Sequence, residues 1–166
     1  VILLITKVLY VTYIFVLPAV LLPSLTWWQI AIGFVTMHYI AGFILAIIFQ
    51  PAHVIDGTEY PMADSNGQLE NNWAIHQMLT TTNFARNSKL FSWYVGGLNF
   101  QVEHHLFPHV CHVHYRNISH IVKDTAAEFG LPYKDEPTFF GAIAGHARLL
   151  RQLGASREVV FKPALT

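Results

Sequence analysis

Charge is what this sequence has least of. Asp, Glu, Lys and Arg make up 12% of its 166 residues, against about 25% in an average soluble domain. Val8 to Ile55 contains none of the four. The formal net charge is zero, which leaves no electrostatic footprint for a nucleic acid partner. A single cysteine, Cys111, excludes an intrachain disulfide. The chain begins at Val1, inside an apolar run, with no initiator Met, basic n-region or small-residue cleavage site. A signal peptide is therefore a poor reading, and the start is read as a truncation. Against these absences stand 53% hydrophobic residues, 14% aromatics and ten histidines, as many as Lys and Arg together.

Two apolar stretches have the length of a bilayer span, one over about residues 1–22 and one over about 27–49. A span needs roughly 20 apolar residues, because a helix rises 1.5 Å per residue and the hydrocarbon core is about 30 Å thick. Pro23 cannot continue a helix, so the connection Pro23-Ser24-Leu25-Thr26 makes an antiparallel hairpin. Trp27 and Trp28 occupy the interfacial position that tryptophan favours, and Pro18 is expected to kink the first span. Buried helices of a soluble protein are the competing reading; so long an uncharged run speaks against it. Nine of the ten Lys and Arg follow residue 50, which assigns that half to the cytoplasm. The hairpin would then enter and leave on that side, with Lys7 snorkelling toward it.

Beyond Gln50 the pattern becomes polar. Asp56-Gly57-Thr58 and Asp64-Ser65-Asn66-Gly67 are turn sequences. Helices are expected over 71–82, 117–129 and 137–153, with stops at Gly130 and Gly154 and a bend at Gly96-Gly97. Phe140, Ile143, Ala147, Leu150 and Leu153 would form the apolar face of the last helix. His146 falls on its exposed side. The fold class expected is all-α integral membrane: a transmembrane helical hairpin in residues 1–50, then a helical cytoplasmic metal-binding cap over 51–166.

The densest chemistry lies in Gln101-Val102-Glu103-His104-His105-Leu106-Phe107-Pro108-His109. Helical spacing sets Gln101, His104 and His105 on one side, with Pro108 ending the helix soon after. Imidazole suits iron, zinc, copper and nickel. Neighbouring ligands diverge by about 100° around a helix of 3.6 residues per turn, so two metals, each taking one imidazole, suit the pair better than one ion. The bland alternative is a pair of surface histidines on a loop.

The segment from Gly96 to Pro108 resembles the third histidine box of membrane fatty acid desaturases. It resembles most the front-end group, in which glutamine replaces the first histidine of HxxHH. The resemblance continues through Trp73-Ala74-Ile75-His76-Gln77, Thr80-Thr81-Thr82-Asn83-Phe84 and His112-Val113-His114-Tyr115, and covers essentially the whole chain. It implies a non-haem di-iron centre held mainly by histidine. It also implies O2-dependent insertion of a cis double bond into an acyl chain, as acyl-CoA or acyl-lipid. Two electrons would come from an external donor, a cytochrome-b-type protein or ferredoxin. Four transmembrane helices and a cytoplasmic cap are implied too, with boxes HxxxH and HxxHH upstream of the last hairpin. Neither box occurs in residues 1–22, so the chain reads as a C-terminal part, inactive alone.

On this resemblance His104 and His105 are metal ligands, and Gln101 stands at a ligand position, directly or through water. One further histidine is expected, His53 at the end of the second span or His76 on the next helix, with His53 ranked first. Asn72, one turn before His76, could hold a metal-bound water or fix that imidazole. Glu103 could accept from a ligand imidazole or face water. Asn83, His112, His114 and Arg116 are further positioning or substrate candidates, while His109 and His120 have no clear place. Arg86, Lys89 and Arg116 could meet the phosphates of a substrate headgroup or simply anionic membrane lipid. His38, within the second span, is a functional suspect by position, with Thr36, Tyr39 or a substrate tunnel to account for it. Rival activities are a membrane di-iron lipid hydroxylase, a zinc-dependent membrane hydrolase, and a non-catalytic membrane scaffold.

Overall fold

The computed structural model describes residues 1–69 and 72–155 and divides into two compact units, Val1–Ala46 and Ile47–Thr166. The first holds α1 (Ile2–Leu21) and most of α2 (Trp27–His53). Both helices are long and apolar enough to cross a membrane. At the start of α2, Thr26 N–H and hydroxyl both donate to Gln29 Oε1, at 2.8 and 3.0 Å. Pro18 is carried inside α1. Antiparallel pairing follows from the ring contacts, Phe15 with Phe34 at 5.5 Å and Tyr10 with His38 at 5.9 Å.

His38 is accounted for neither by Thr36 nor by Tyr39. Its Nδ1 lies 2.9 Å from the Phe34 carbonyl, which can only accept, and its Nε2 lies 3.1 Å from Tyr10 Oη. The imidazole thus ties the two helices together with both ring nitrogens bonded.

The second unit is organised around the end of α2, which runs to His53 rather than stopping near Phe49. A helix end leaves carbonyls unpaired, and here three carbonyls at or just past the end find donors from elsewhere in the unit. Ala52 O accepts from Thr82 N–H at 2.8 Å, His53 O from Tyr60 Oη at 3.0 Å, and Val54 O from His146 Nδ1 at 2.5 Å. His146 is therefore half-buried and structural, not on the exposed side of its helix.

The middle helix, α3 (Trp73–Thr80), is shorter than the expected 71–82; residue 71 lies outside the described residues. Thr81 and Thr82 leave the helix because β-branched side chains favour extended backbone. They lead into β1 (Asn83–Phe84), which pairs in parallel with β2 (Asp135–Glu136). This two-stranded pair qualifies the all-α expectation.

Next come α4 (Lys89–Tyr94), α5 (Gln101–Leu106), a 3-10 turn (His112–His114), α6 (Tyr115–Glu128) and α7 (Phe139–Ala155). Helix α6 starts two residues earlier than expected, and α7 runs through Gly154.

The buried face of α7 differs from the expected one. Ala142 and Gly145 are buried, whereas Phe140, Ala147 and Leu150 are exposed. Small residues face inward because Ile55 presses close: a Cβ on Gly145 would lie 2.7 Å from Ile55 Cγ1. One core cluster joins Ala52, Ile55, Phe84, Ala85 and Ala142, with Phe91 and Phe139 against it. The other joins Met78, Val102, Val122 and Ala126. Complete burial of Phe84 contributes about 1.5–3 kcal/mol.

Candidate metal centre

The six-residue helix α5 carries Gln101, His104 and His105, and the second unit fixes it from its buried side. The residue before it, Phe100, provides no side-chain cap. Asn83 of β1 does so from outside, its Oδ1 accepting from Val102 N–H at 2.8 Å. The same amide donates through Nδ2 to Glu103 Oε2 and to Tyr133 Oη, both at 2.8 Å. Tyr133 in turn donates to Glu103 Oε1 at 2.6 Å. Burial, and then the adjacent Glu103 carboxylate, push the Tyr133 phenol far above its usual range, so it stays a donor. Glu103 is fully buried. It neither faces water nor bonds an imidazole, because Tyr133 and Asn83 hold its two oxygens.

With Val102 and Glu103 turned inward, His104 and His105 sit half-buried on the other side of α5. Their ring centroids are 5.5 Å apart and they meet different partners. His104 Nδ1 lies 3.3 Å from Tyr115 Oη. His105 Nε2 lies 3.4 Å from Nε2 of His53, the last residue of α2. Burial, followed by the imidazoles of His53 and His104, lowers the His105 pKa to about 4. This keeps the ring neutral with a lone pair available at ordinary pH.

Gln101 is buried with Val102 and Glu103 rather than sharing the exposure of the histidines, and its Nε2 has no partner. His76 makes no hydrogen bond or ring contact with His53 or His105; it is half-buried, and its Nδ1 has no partner among the described residues. Asn72 is the N-cap of α3, accepting from Ile75 N–H at 3.1 Å. That bond commits the side-chain oxygen that was expected near His76. His109, His112, His114 and His120 are exposed. Arg86 is taken by Asp135 at 2.6 Å and Ser119 at 3.3 Å, so it is not a free headgroup contact. Lys89 opens α4, and Arg116 lies over the Phe100 ring at 5.7 Å.

Among the described residues, no group of three or more His, Cys, Asp or Glu side chains is gathered closely enough to hold a metal ion. What is gathered is a pair. Two imidazole nitrogens facing each other at 3.4 Å can both reach one ion at metal–nitrogen bonds of about 2.0–2.1 Å. The donor type and spacing fit part of a histidine-bound iron site.

The model for the fatty acid desaturase family matches residues 1–137. The chain belongs to that family. It is 42% identical over 149 residues to an sn-1 linoleoyl-lipid 6-desaturase of Synechocystis, covering 89% of this chain and 41% of that protein. It is 43% identical over 148 residues to an acyl-lipid (8-3)-desaturase of Physcomitrium patens, covering 89% and 30%. A Mortierella alpina acyl-lipid (8-3)-desaturase is 36% identical over 148 residues, covering 89% and 32%. The chain therefore spans between 30% and 41% of the length of these curated relatives. No solved structure is a significant match.

Within this chain, two site-building residues, Tyr133 and Tyr115, were not site candidates in sequence. Tyr133 comes 30 residues after Glu103 and Tyr115 comes 11 after His104, so only the fold brings them in. Asn83 was a candidate, but its double role as cap and clamp depends on β1 pairing with β2.

Proposed function

We propose that the protein carrying this chain is an integral-membrane acyl-lipid desaturase, inserting a cis double bond into a lipid-borne acyl chain with O2 and external electrons. The observation that carries the reading is the pair of His53, at the end of α2, and His105, on the helix whose sequence carries the desaturase box, Nε2 to Nε2 at 3.4 Å. The relatives are named for acyl-lipid substrates, which favours acyl-lipid over acyl-CoA. The two long apolar helices favour a multi-pass membrane location, and the nine Lys and Arg after residue 50 favour the box on the cytoplasmic side.

Removing two hydrogens from an unactivated methylene pair is beyond any general base, since those C–H bonds are not acidic. When bound, a non-haem di-iron centre supplies the dioxygen-activating chemistry that this demands. The chain's own residues would hold and orient it. His53, His104 and His105 are the proposed ligands, with His76 and Gln101 as further candidates. For His104 to bind through Nε2, its Nδ1 must carry the hydrogen and donate to Tyr115 Oη, the usual arrangement behind a metal-bound imidazole. Burial, first among its causes, raises the Tyr115 pKa, so the phenol stays neutral and able to accept. The Glu103–Tyr133–Asn83 cluster fixes the helix on which the ligands stand.

Metal analysis of the purified protein tests this directly. Iron is expected, reduced in His53→Ala, His104→Ala and His105→Ala. Stoichiometric zinc would replace this reading with a metal-dependent hydrolase, and full iron retention in all three variants would remove these histidines from the site.

A further inference from the structure

A cleft of about 200 Å³ lies between α4 and the start of α6, lined by Trp93, Gly97, Phe100, His112, Arg116 and Asn117 among others. It holds no carboxylate. Arg116 brings the cleft's one permanent positive charge, and one terminal guanidinium nitrogen is shielded from solvent with no partner. No acidic side chain pairs with it among the described residues, in contrast to Arg86, which bonds Asp135 and Ser119. That shielded nitrogen belongs to a guanidinium packed over the Phe100 ring, 5.7 Å from its centroid; the remaining guanidinium N–H groups are not shielded and bond no described residue, so they are open to an acceptor from outside the chain.

The backbone is shaped to keep this cleft. Gly97 has φ +74, and a Cβ there would meet His112 Cβ at 3.0 Å. The close approach sets His112 beside Arg116 and Asn117, three side chains with N–H donors. Helix α6 has no side-chain cap and no acid in its first turn, so nothing there offsets the positive charge. The rim is apolar: Trp93 is 78% and Val113 62% exposed.

We infer that this cleft binds a tetrahedral oxyanion, a phosphate or sulfonate, through Arg116, with Asn117 and His112 as further donors. A guanidinium presents paired N–H groups in the fork that such an anion accepts. The apolar rim makes a lipid headgroup the favoured source over free phosphate. On the desaturase reading, this cleft holds the substrate lipid's headgroup while its acyl chain reaches the metal. Anion binding itself does not depend on that reading.

The test uses the full chain in a neutral detergent. Trp93 lines the cleft, so its fluorescence reports occupancy. Short-chain phosphatidylglycerol, short-chain phosphatidylcholine and inorganic phosphate are titrated separately. A saturable change with the phospholipids is expected, absent in Trp93→Phe. Binding should weaken at least about tenfold in Arg116→Gln, the loss of one charge-assisted bond, recover in part in Arg116→Lys, and persist in Lys89→Gln. Equal affinity of wild type and Arg116→Gln, both with native helix content by circular dichroism, overturns the proposal. So does a change that persists in Trp93→Phe. Arg116-dependent binding of inorganic phosphate as tight as that of the phospholipids upholds the oxyanion site and overturns the headgroup assignment. Since the assay needs neither iron nor turnover, its failure is distinct from failure of the desaturase reading.

Discussion

Tyr133→Phe removes two bonds of the cluster that holds the histidine helix, the one Tyr133 donates to Glu103 and the one it accepts from Asn83 Nδ2. The substitution removes a hydroxyl that donates to Glu103 at 2.6 Å and leaves a ring of the same shape. The stacking of Arg86 on that ring, at 5.2 Å, can therefore persist. Asn83 still donates to the other carboxylate oxygen, so Glu103 loses one of its two donors rather than both. A hydrogen bond to a charged group contributes about 1.5–3 kcal/mol, and more when its loss leaves a buried charge under-satisfied. For a chain of this size that corresponds to a fall in Tm of roughly 3–12 °C. Thermal unfolding in detergent, followed by circular dichroism, measures it. Glu103→Gln should fall in the same range, because an amide offers only one oxygen where the cluster supplies two donors. A Tyr133→Phe midpoint equal to wild type would refute the claim that these bonds anchor α5.

Other consequences follow from particular contacts. Gly145→Ala should destabilise by about 1–3 kcal/mol through overpacking against Ile55, read as a lower thermal midpoint, while Gly154→Ala, with nothing within 4 Å, should not. Gly97→Ala should cost at least about 1–2 kcal/mol from its left-handed backbone alone, measured in the same way. In metal-free protein, the His105 pKa of about 4 lies below the ordinary histidine value of 6.5. The unfolded chain then binds a proton that the folded chain does not. His105 thus contributes stability that is present above pH 6.5 and lost as pH falls toward 4. Denaturation midpoints measured across that window should show this loss, with a shallower fall in His105→Gln.

The helical hairpin was legible because length, apolarity and Pro23 act locally. The histidine helix was legible from the box and from Pro108 just beyond it. What escaped was whatever depends on partners distant in sequence. The end of α2 extends to His53 because Thr82, Tyr60 and His146 supply donors from other elements. Periodicity alone set the wrong face of α7 inward, since Ala142 and Gly145 are buried by the closeness of Ile55 rather than by their hydrophobicity. Glu103 read as a polar residue near a metal, yet Asn83 and Tyr133 enclose it. Asn72 was matched to His76 by helical spacing, but its position at a helix start commits it to capping.

The most direct test of the central claim is the acyl composition of lipids from a host expressing the complete reading frame that encodes this chain. The account predicts a new cis double bond in lipid-bound acyl chains, dependent on O2 and abolished in both His104→Ala and His105→Ala at unchanged protein level. An acyl profile identical to that of the host without the protein, despite iron-loaded and folded enzyme, would contradict it. A hydroxylated product in place of the double bond would contradict it equally.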